Sequence, residues 1–173
     1  MSTTNELLTA IKTEFKNRLN ALKTCEIHPG RFNLQELKRL SAKTPALLVS
    51  SLGTVKVNNP GTGEAKPVKQ LVVYIVTKTT AQLSAEEACR NLVDAIEHYL
   101  ESESPRWGVN GTGQPQAIRS DNLYSSEVDK NGVMLWAITW QQHLTLGESL
   151  FIEDGTLPSQ LYVGDNTGSY EPL

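Results

Sequence analysis

The chain has 173 residues, sixteen Lys and Arg against nineteen Asp and Glu, and a formal charge of -3. That length is about one ordinary domain, large enough to bury roughly 70% of its unfolded surface without a disulfide or metal staple. The charge balance lacks the basic footprint of a nucleic-acid-binding domain, and no segment approaches the about 18 apolar residues that span a bilayer.

The first 15 residues, MSTTNELLTAIKTEF, are amphipathic and carry Glu6 and Glu14. They lack the unbroken apolar core of a signal peptide, so the chain is expected in the cytoplasm where it is made. Thr3 followed by Glu6 is a capping-box signature. Leu8, Ile11, Phe15, Leu19 and Leu22 then recur at steps of three and four, which predicts a helix with one apolar stripe. The helix is expected to stop before His28-Pro29-Gly30. A second, short helix is predicted over 34–41, capped by Asn33 and ended by Thr44-Pro45.

Residues 46–52 (ALLVSSL) read as a strand, which the alternating Val55 and Val57 extend or flank. Asn58 to Gly63 is a loop. Leu71-Val72-Val73-Tyr74-Ile75-Val76, within 68–79, is apolar on both faces and predicts a central strand covered on both sides. Ser84 with Glu87 opens a long helix over 85–102, whose apolar face is Ala88, Leu92, Val93, Ile96, Tyr99 and Leu100. Pro105 closes it.

Residues 104–116 are a Gly/Pro-rich connection. A strand around 118–126 and a returning strand over 133–144 flank Asp129-Lys130-Asn131-Gly132, where Asn-Gly supplies the left-handed positions of a hairpin turn. Period two places Met134, Trp136, Ile138 and Trp140 on one face of the returning strand, and Leu135, Ala137, Thr139 and Gln141 on the other. The fold class expected is α+β: two amphipathic helices packed on a twisted, mostly antiparallel sheet, with a late β-hairpin. Residues 1–150 form a single domain in this reading. Residues 151–173, polar and rich in glycine, form an extended C-terminal tail that orders against a partner.

No catalytic residue, metal ligand set or cofactor site is predicted. Cys25 and Cys89 are far apart, form no CxxC and read as reduced, buried thiols. Asp94 and His98 lie four apart on one helical face, but a closed metal site needs three or four ligands. The glycine-rich stretches 61–63 and 108–113 lack the strand, helix and Lys-Ser/Thr of a phosphate-cradling loop. Asn110-Gly111-Thr112 reads as a chance glycosylation match. The aromatics are the candidates for a subunit interface: Trp136 and Trp140 on the hairpin, and Trp107 beside Arg106 in the loop. The competing reading packs both hairpin tryptophans under a helix.

The element order has a precedent. A Pro-Ala-Leu-Leu-Val strand (45–49) follows a short helix, a long apolar strand (69–78) leads through Ser84-Ala85-Glu86-Glu87 into a long helix, and a late hairpin ends in Trp136-Ala137-Ile138-Thr139-Trp140-Gln141. Over roughly residues 3–147 this layout resembles the tail-terminator proteins of tailed phages, in particular those of Mu-like phages and prophages with contractile tails. The resemblance implies an α+β structural protein of the virion without catalytic residues or cofactors. It further implies a homo-oligomeric ring, typically a hexamer, that caps the tail tube, ends its polymerisation and forms the head-joining surface. Partners would be tube and sheath subunits and head-completion proteins, with no membrane and no sequence-specific nucleic acid. The alternatives are another head–tail connector or tail-completion protein, or a small-molecule-binding or regulatory domain of a bacterial host.

Overall fold

In the computed structural model, residues 3–32, 39–125, 128, 130, 132–147, 162–164 and 170–172 are described. The Thr3–Glu6 capping box forms in both directions, with Glu6 N donating to Thr3 Oγ1 at 3.2 Å and Thr3 N to Glu6 Oε2 at 2.7 Å. Together they satisfy two of the first turn's orphan donors. Helix α1 (Thr4–Arg18) follows and buries Leu7, Leu8, Ile11 and Phe15.

The chain leaves the helix at Leu19, earlier than the turn at residues 28–30 that the apolar periodicity suggested. Strand β1 (Thr24–Ile27) occupies the intervening residues. Leu19 and Leu22 still pack against the core, which is why they continued the helical stripe in sequence. What overrides the stripe is sheet pairing. Lys23 N and Thr24 N donate to Pro45 O, and β1 runs parallel to β2 (Ala46–Asn58) in the register Thr24↔Ala46 to Ile27↔Val49. The predicted helix over 34–41 falls mostly outside the described residues. Ser41–Lys43 forms one 3₁₀ turn.

Strand β3 (Lys66–Lys78) pairs antiparallel with both β2 and β5 (Val133–His143), and β4 (Gln116–Asn122) closes the other edge. The sheet order is β1-β2-β3-β5-β4, antiparallel except for β1–β2. Val55 and Val57 belong to β2 itself, which continues through two bulges, at Ser51/Gly53 and Thr54/Lys56. Of the predicted hairpin turn, Asp129 and Asn131 lie outside the described residues, and Gly132 takes the left-handed φ of 63°.

Helix α2 (Ala85–His98) is capped by Ser84 Oγ, which accepts from Glu87 N at 3.1 Å, and continues as a π-helical turn, Tyr99–Glu103. Both helices cover one face of the sheet. There Phe15, Leu7, Ile11, Leu92, Val93 and Ile96 pack on Leu47, Val49, Leu71, Val73, Ile75, Ile138 and Trp140. The opposite face carries a second cluster: Ala46, Leu48, Val72, Tyr74, Val76, Leu135 and Ala137 under Leu40, Val128 and Phe32. Strand β3 is therefore buried on both sides, as its apolar run requires. In the C-terminal stretch, β6 (Tyr162–Gly164) and β7 (Tyr170–Pro172) pair antiparallel with each other. The fold is α+β. No helix among the described residues is long and apolar enough to cross a membrane.

Candidate interaction surface

The second cluster covers only part of the helix-free face. Beyond Ser50, β2 continues to Asn58 as an arm along β3, which stays paired with β5 on its other side, and Leu52, Val55 and Val57 of this arm are exposed. Leu52 and Val55 are the extra residues of the two bulges. A bulge re-aims a side chain and tightens the local twist, so these apolar groups point where regular pairing would not send them. Gly53 supplies the φ of 134° that the first bulge needs, a conformation side chains rarely adopt. Strand β1 and His28 N occupy the outer edge of β2 as far as Val49. From Leu52 to Asn58 that edge has no backbone partner among the described residues.

Between the end of this arm and β5 lies a polar cleft of about 400 Å³, lined by Lys56, Asn58, Lys66, Gln116, Gln141 and His143. The register explains the grouping: Lys56 pairs with Val68, Val68 with His143, and Gln116 with Gln141, so all these side chains come to one end of the helix-free face. A second cleft shares Gln116 and His143 and adds Arg106. Glu64 is the nearby counter-charge, 3.7 Å from Lys66. Further along the same face is a more apolar groove with Leu52, Val72, Leu123 and Ala137, bounded by Arg31.

The four residues expected at an interface divide. Trp140 is fully buried within the subunit and presents no surface to a partner. Its indole Nε1 donates to Gln142 Oε1 at 3.0 Å. Trp136 is half-buried against the helix-side core, and its Nε1 is buried without a hydrogen-bond partner among the described residues. Trp107 turns inward onto Phe15, Tyr99 and Trp140. Its φ of 58° is a strained left-handed value for a bulky residue. Arg106 alone is exposed, at the second cleft. Packing under the helices thus takes the tryptophans, because each indole buries a large apolar area most cheaply in the core.

Sequence reasoning missed Gln142. It is buried, its Oε1 accepts from both Trp107 and Trp140, and its Nε2 donates to Pro105 O at 2.9 Å and Gly113 O at 2.5 Å. Three of these four contacts hold the 105–113 connection against β5, and the fourth is to Trp140 within the strand. The signal was available: period two puts Gln142 on the tryptophan face, where a polar residue needs partners. It also missed Lys56, Lys66 and His143: the bulges of β2 break the alternation that would have placed Lys56, and the sheet register is what brings it beside Lys66 and His143.

Elsewhere, Arg18 joins α1 to the π-helical turn. It bonds Glu103 at 2.8 and 2.7 Å and Glu14 at 2.6 Å, and lies 4.2 Å from the Tyr99 ring centroid. Its bond to Glu14 raises the guanidinium pKa further, and burial pushes the Tyr99 hydroxyl up to about 12. The cleft between the helices at this point, with Phe15, Leu19, Ile96 and Tyr99, is about 220 Å³, below the roughly 300–1,000 Å³ of small-molecule sites. Burial pushes both thiols, Cys25 and Cys89, up to about 11. His98 meets Ser102 rather than Asp94, at 3.1 Å. No group of three or more His, Cys, Asp or Glu among the described residues could hold a metal ion.

Compared with known proteins, the chain matches no family model and no curated protein.

Proposed function

We propose that the chain is a structural subunit of a phage tail that closes as a ring on the last ring of the tail tube. There it ends polymerisation and forms the surface that receives the head. The observation that carries this reading is the arm of β2. Among the described residues its edge is open from Leu52 to Asn58, and it presents Val55 and Val57, 51% and 60% exposed. An open edge offers main-chain hydrogen bonds to a neighbour, and alternate side chains set the register. A ring needs a heterologous contact, one surface of a subunit against a different surface of the next. The edge of β2 supplies one of those two surfaces. The α+β fold is the class that the terminator reading calls for.

Left open in solution, such an edge invites aggregation, and the two bulges limit this by twisting it away from flat pairing. The test is loss of the gene from a producing phage, followed by electron microscopy. Abnormally long or headless tails are expected, with a labelled subunit at the tube end in the restored particles. Normal particles, or label on the portal side, would refute the terminator role.

A further inference from the structure

We infer that the arm of β2 in one copy of the chain pairs with the outer edge of β4 in the next, antiparallel, so that the five-stranded sheet continues from copy to copy. The inference rests on the ring reading and supplies the second surface which that reading needs.

The sheet has two open margins. Among the described residues, β2 has no backbone partner on its outer side from Leu52 to Asn58, and β4 has none on its outer side along Gln116–Asn122. The strand directions already suit a joint between them. The pairs β2–β3, β3–β5 and β5–β4 are each antiparallel, so β4 runs opposite to β2. A further β4 laid beside β2 in the same orientation therefore prolongs an antiparallel ladder. The exposed apolar groups mark the same margins. Among the described residues, the large apolar side chains that are exposed are Ile27, Leu52, Val55 and Val57 at the β1–β2 margin, and Leu123 and Tyr124 just past β4. Single exposed apolar residues need no explanation, but their confinement to two opposite edges of one sheet does.

The margins also differ in charge, face by face. On the helix-free face the arm brings Lys56 and Lys66 to the polar cleft, with Glu64 beside Lys66. Asp121, ion-paired to Arg119, stands on that face at β4, in the groove with Val72 and Ala137. On the helix side Lys69 alternates with Leu71 and Val73 of the core and donates to Thr54 Oγ1 at 3.0 Å. At β4 the same side holds Glu97, which accepts from Ser120 Oγ. A copy that continues the sheet thus sets lysines against carboxylates on both faces, which favours this orientation and this partner edge. Two arms paired with each other would set lysines against lysines, which is unfavourable across strands.

The register fixes a stagger. Gln116 lies level with Gln141, Gln70 and Gly53, and Asn122 lies level with Trp136, Ile75 and Leu47. Strand β1 and His28 N fill the outer side of β2 as far as Val49. An incoming β4 must therefore sit about six residues further along the arm, roughly 20 Å. A sheet closes on itself only with a stagger that tilts its strands to the axis, so the offset suits a ring better than a flat ribbon.

The experiment places cysteines in the full chain at Val57→Cys together with Asn122→Cys, and separately with Ser120→Cys. A short bismaleimide, which tolerates a small shift in register, is added to the concentrated protein and to protein on purified tail tubes. Each double variant should give a ladder of linked copies, while each single variant stays unlinked. The native thiols Cys25 and Cys89 are present throughout, so the single variants report their background. Tube binding without a ladder overturns the contact and leaves the ring reading standing. A ladder from protein that does not join tubes upholds the contact and removes the tail from the reading. Linked dimers from Val57→Cys alone mark a symmetric pairing of two arms and overturn the proposal, as does the absence of both ladder and tube binding.

Discussion

The indole of Trp107 donates to Oε1 of Gln142 at 2.9 Å, across 35 positions of sequence. The same oxygen accepts from Trp140, and the amide nitrogen of Gln142 holds Pro105 O and Gly113 O. One buried amide thus ties the connection after α2 to the last long strand. It also stabilises Trp107 in its left-handed conformation, and Trp107 in turn closes the end of the helical layer against Phe15 and Tyr99.

Replacing Gln142 by Leu strands two indole donors and two carbonyls in a dry setting. A buried polar group left unpaired costs about 1–3 kcal/mol, and some relaxation of the loop is available. The expected loss is about 3–4 kcal/mol of unfolding free energy, read from the denaturant midpoint at constant slope. Gln142→Glu keeps the acceptor but aims a carboxylate at two carbonyls. Burial would raise that carboxyl's folded pKa above its unfolded value. The penalty is then full at neutral pH and shrinks as pH falls through the folded pKa. A pH-independent loss for Gln142→Glu would show that the side chain is not held as described.

Trp136 and Trp140 give a paired test. Trp140 has a hydrogen-bonded Nε1 and Trp136 a buried Nε1 without a partner among the described residues. Substituting Phe removes the donor in each case. Trp140→Phe loses a bond and some volume, at about 1–2 kcal/mol. Trp136→Phe removes a buried donor that no bond offsets, so it should be near neutral or slightly stabilising. Equal losses at the two sites would contradict the assignment.

Which parts of this were legible beforehand follows from the physics of each element. The capping box at Thr3, the two-sided apolar run of β3 and the face division of β5 are local patterns with one period, and each appears where it was expected. Strand β1 was not legible, because Leu19 and Leu22 continue a helical spacing while Thr24–Ile27 owes its conformation to Pro45 and Val49, remote partners that no local window contains. The interface expectation for Trp140 fails for a related reason: a strand pattern says which residues share a face, but not which face the helices cover. The polar cleft at Lys56 and His143 depends on register past the two bulges of β2, and a bulge leaves little trace beyond a glycine at position 53.

The thiols set a pH dependence. Unfolded, Cys25 and Cys89 ionise near pH 9; folded, burial holds each near 11. Between those values the unfolded chain has released protons that the folded chain retains, so stability falls as pH rises from 9 to 11. Below pH 9 the thiols are neutral in both states and contribute no slope. At pH 8 a thiol reagent should react slowly with the native protein and fast in denaturant. Rapid native labelling of Cys89, which is fully buried, would show that α2 does not pack on the sheet as described.

The arm of β2 separates folding from assembly. Val55 and Val57 are more than half exposed and lie past the helical layer, so Val55→Lys/Val57→Lys removes little buried apolar area. Surface changes of this kind stay within about 0.5 kcal/mol. Their effect on association should be far larger. A lysine on an edge strand opposes pairing with another strand, because the incoming chain must desolvate the charge. In the ring reading, the double variant should fold with an unchanged denaturant midpoint yet fail to join purified tail tubes in a sedimentation assay. Tube binding equal to that of the unsubstituted protein would remove the arm from the interface. A shifted midpoint would mean that the arm supports the fold itself, because the only free energy two exposed valines can withdraw from an isolated subunit is that of contacts made inside it.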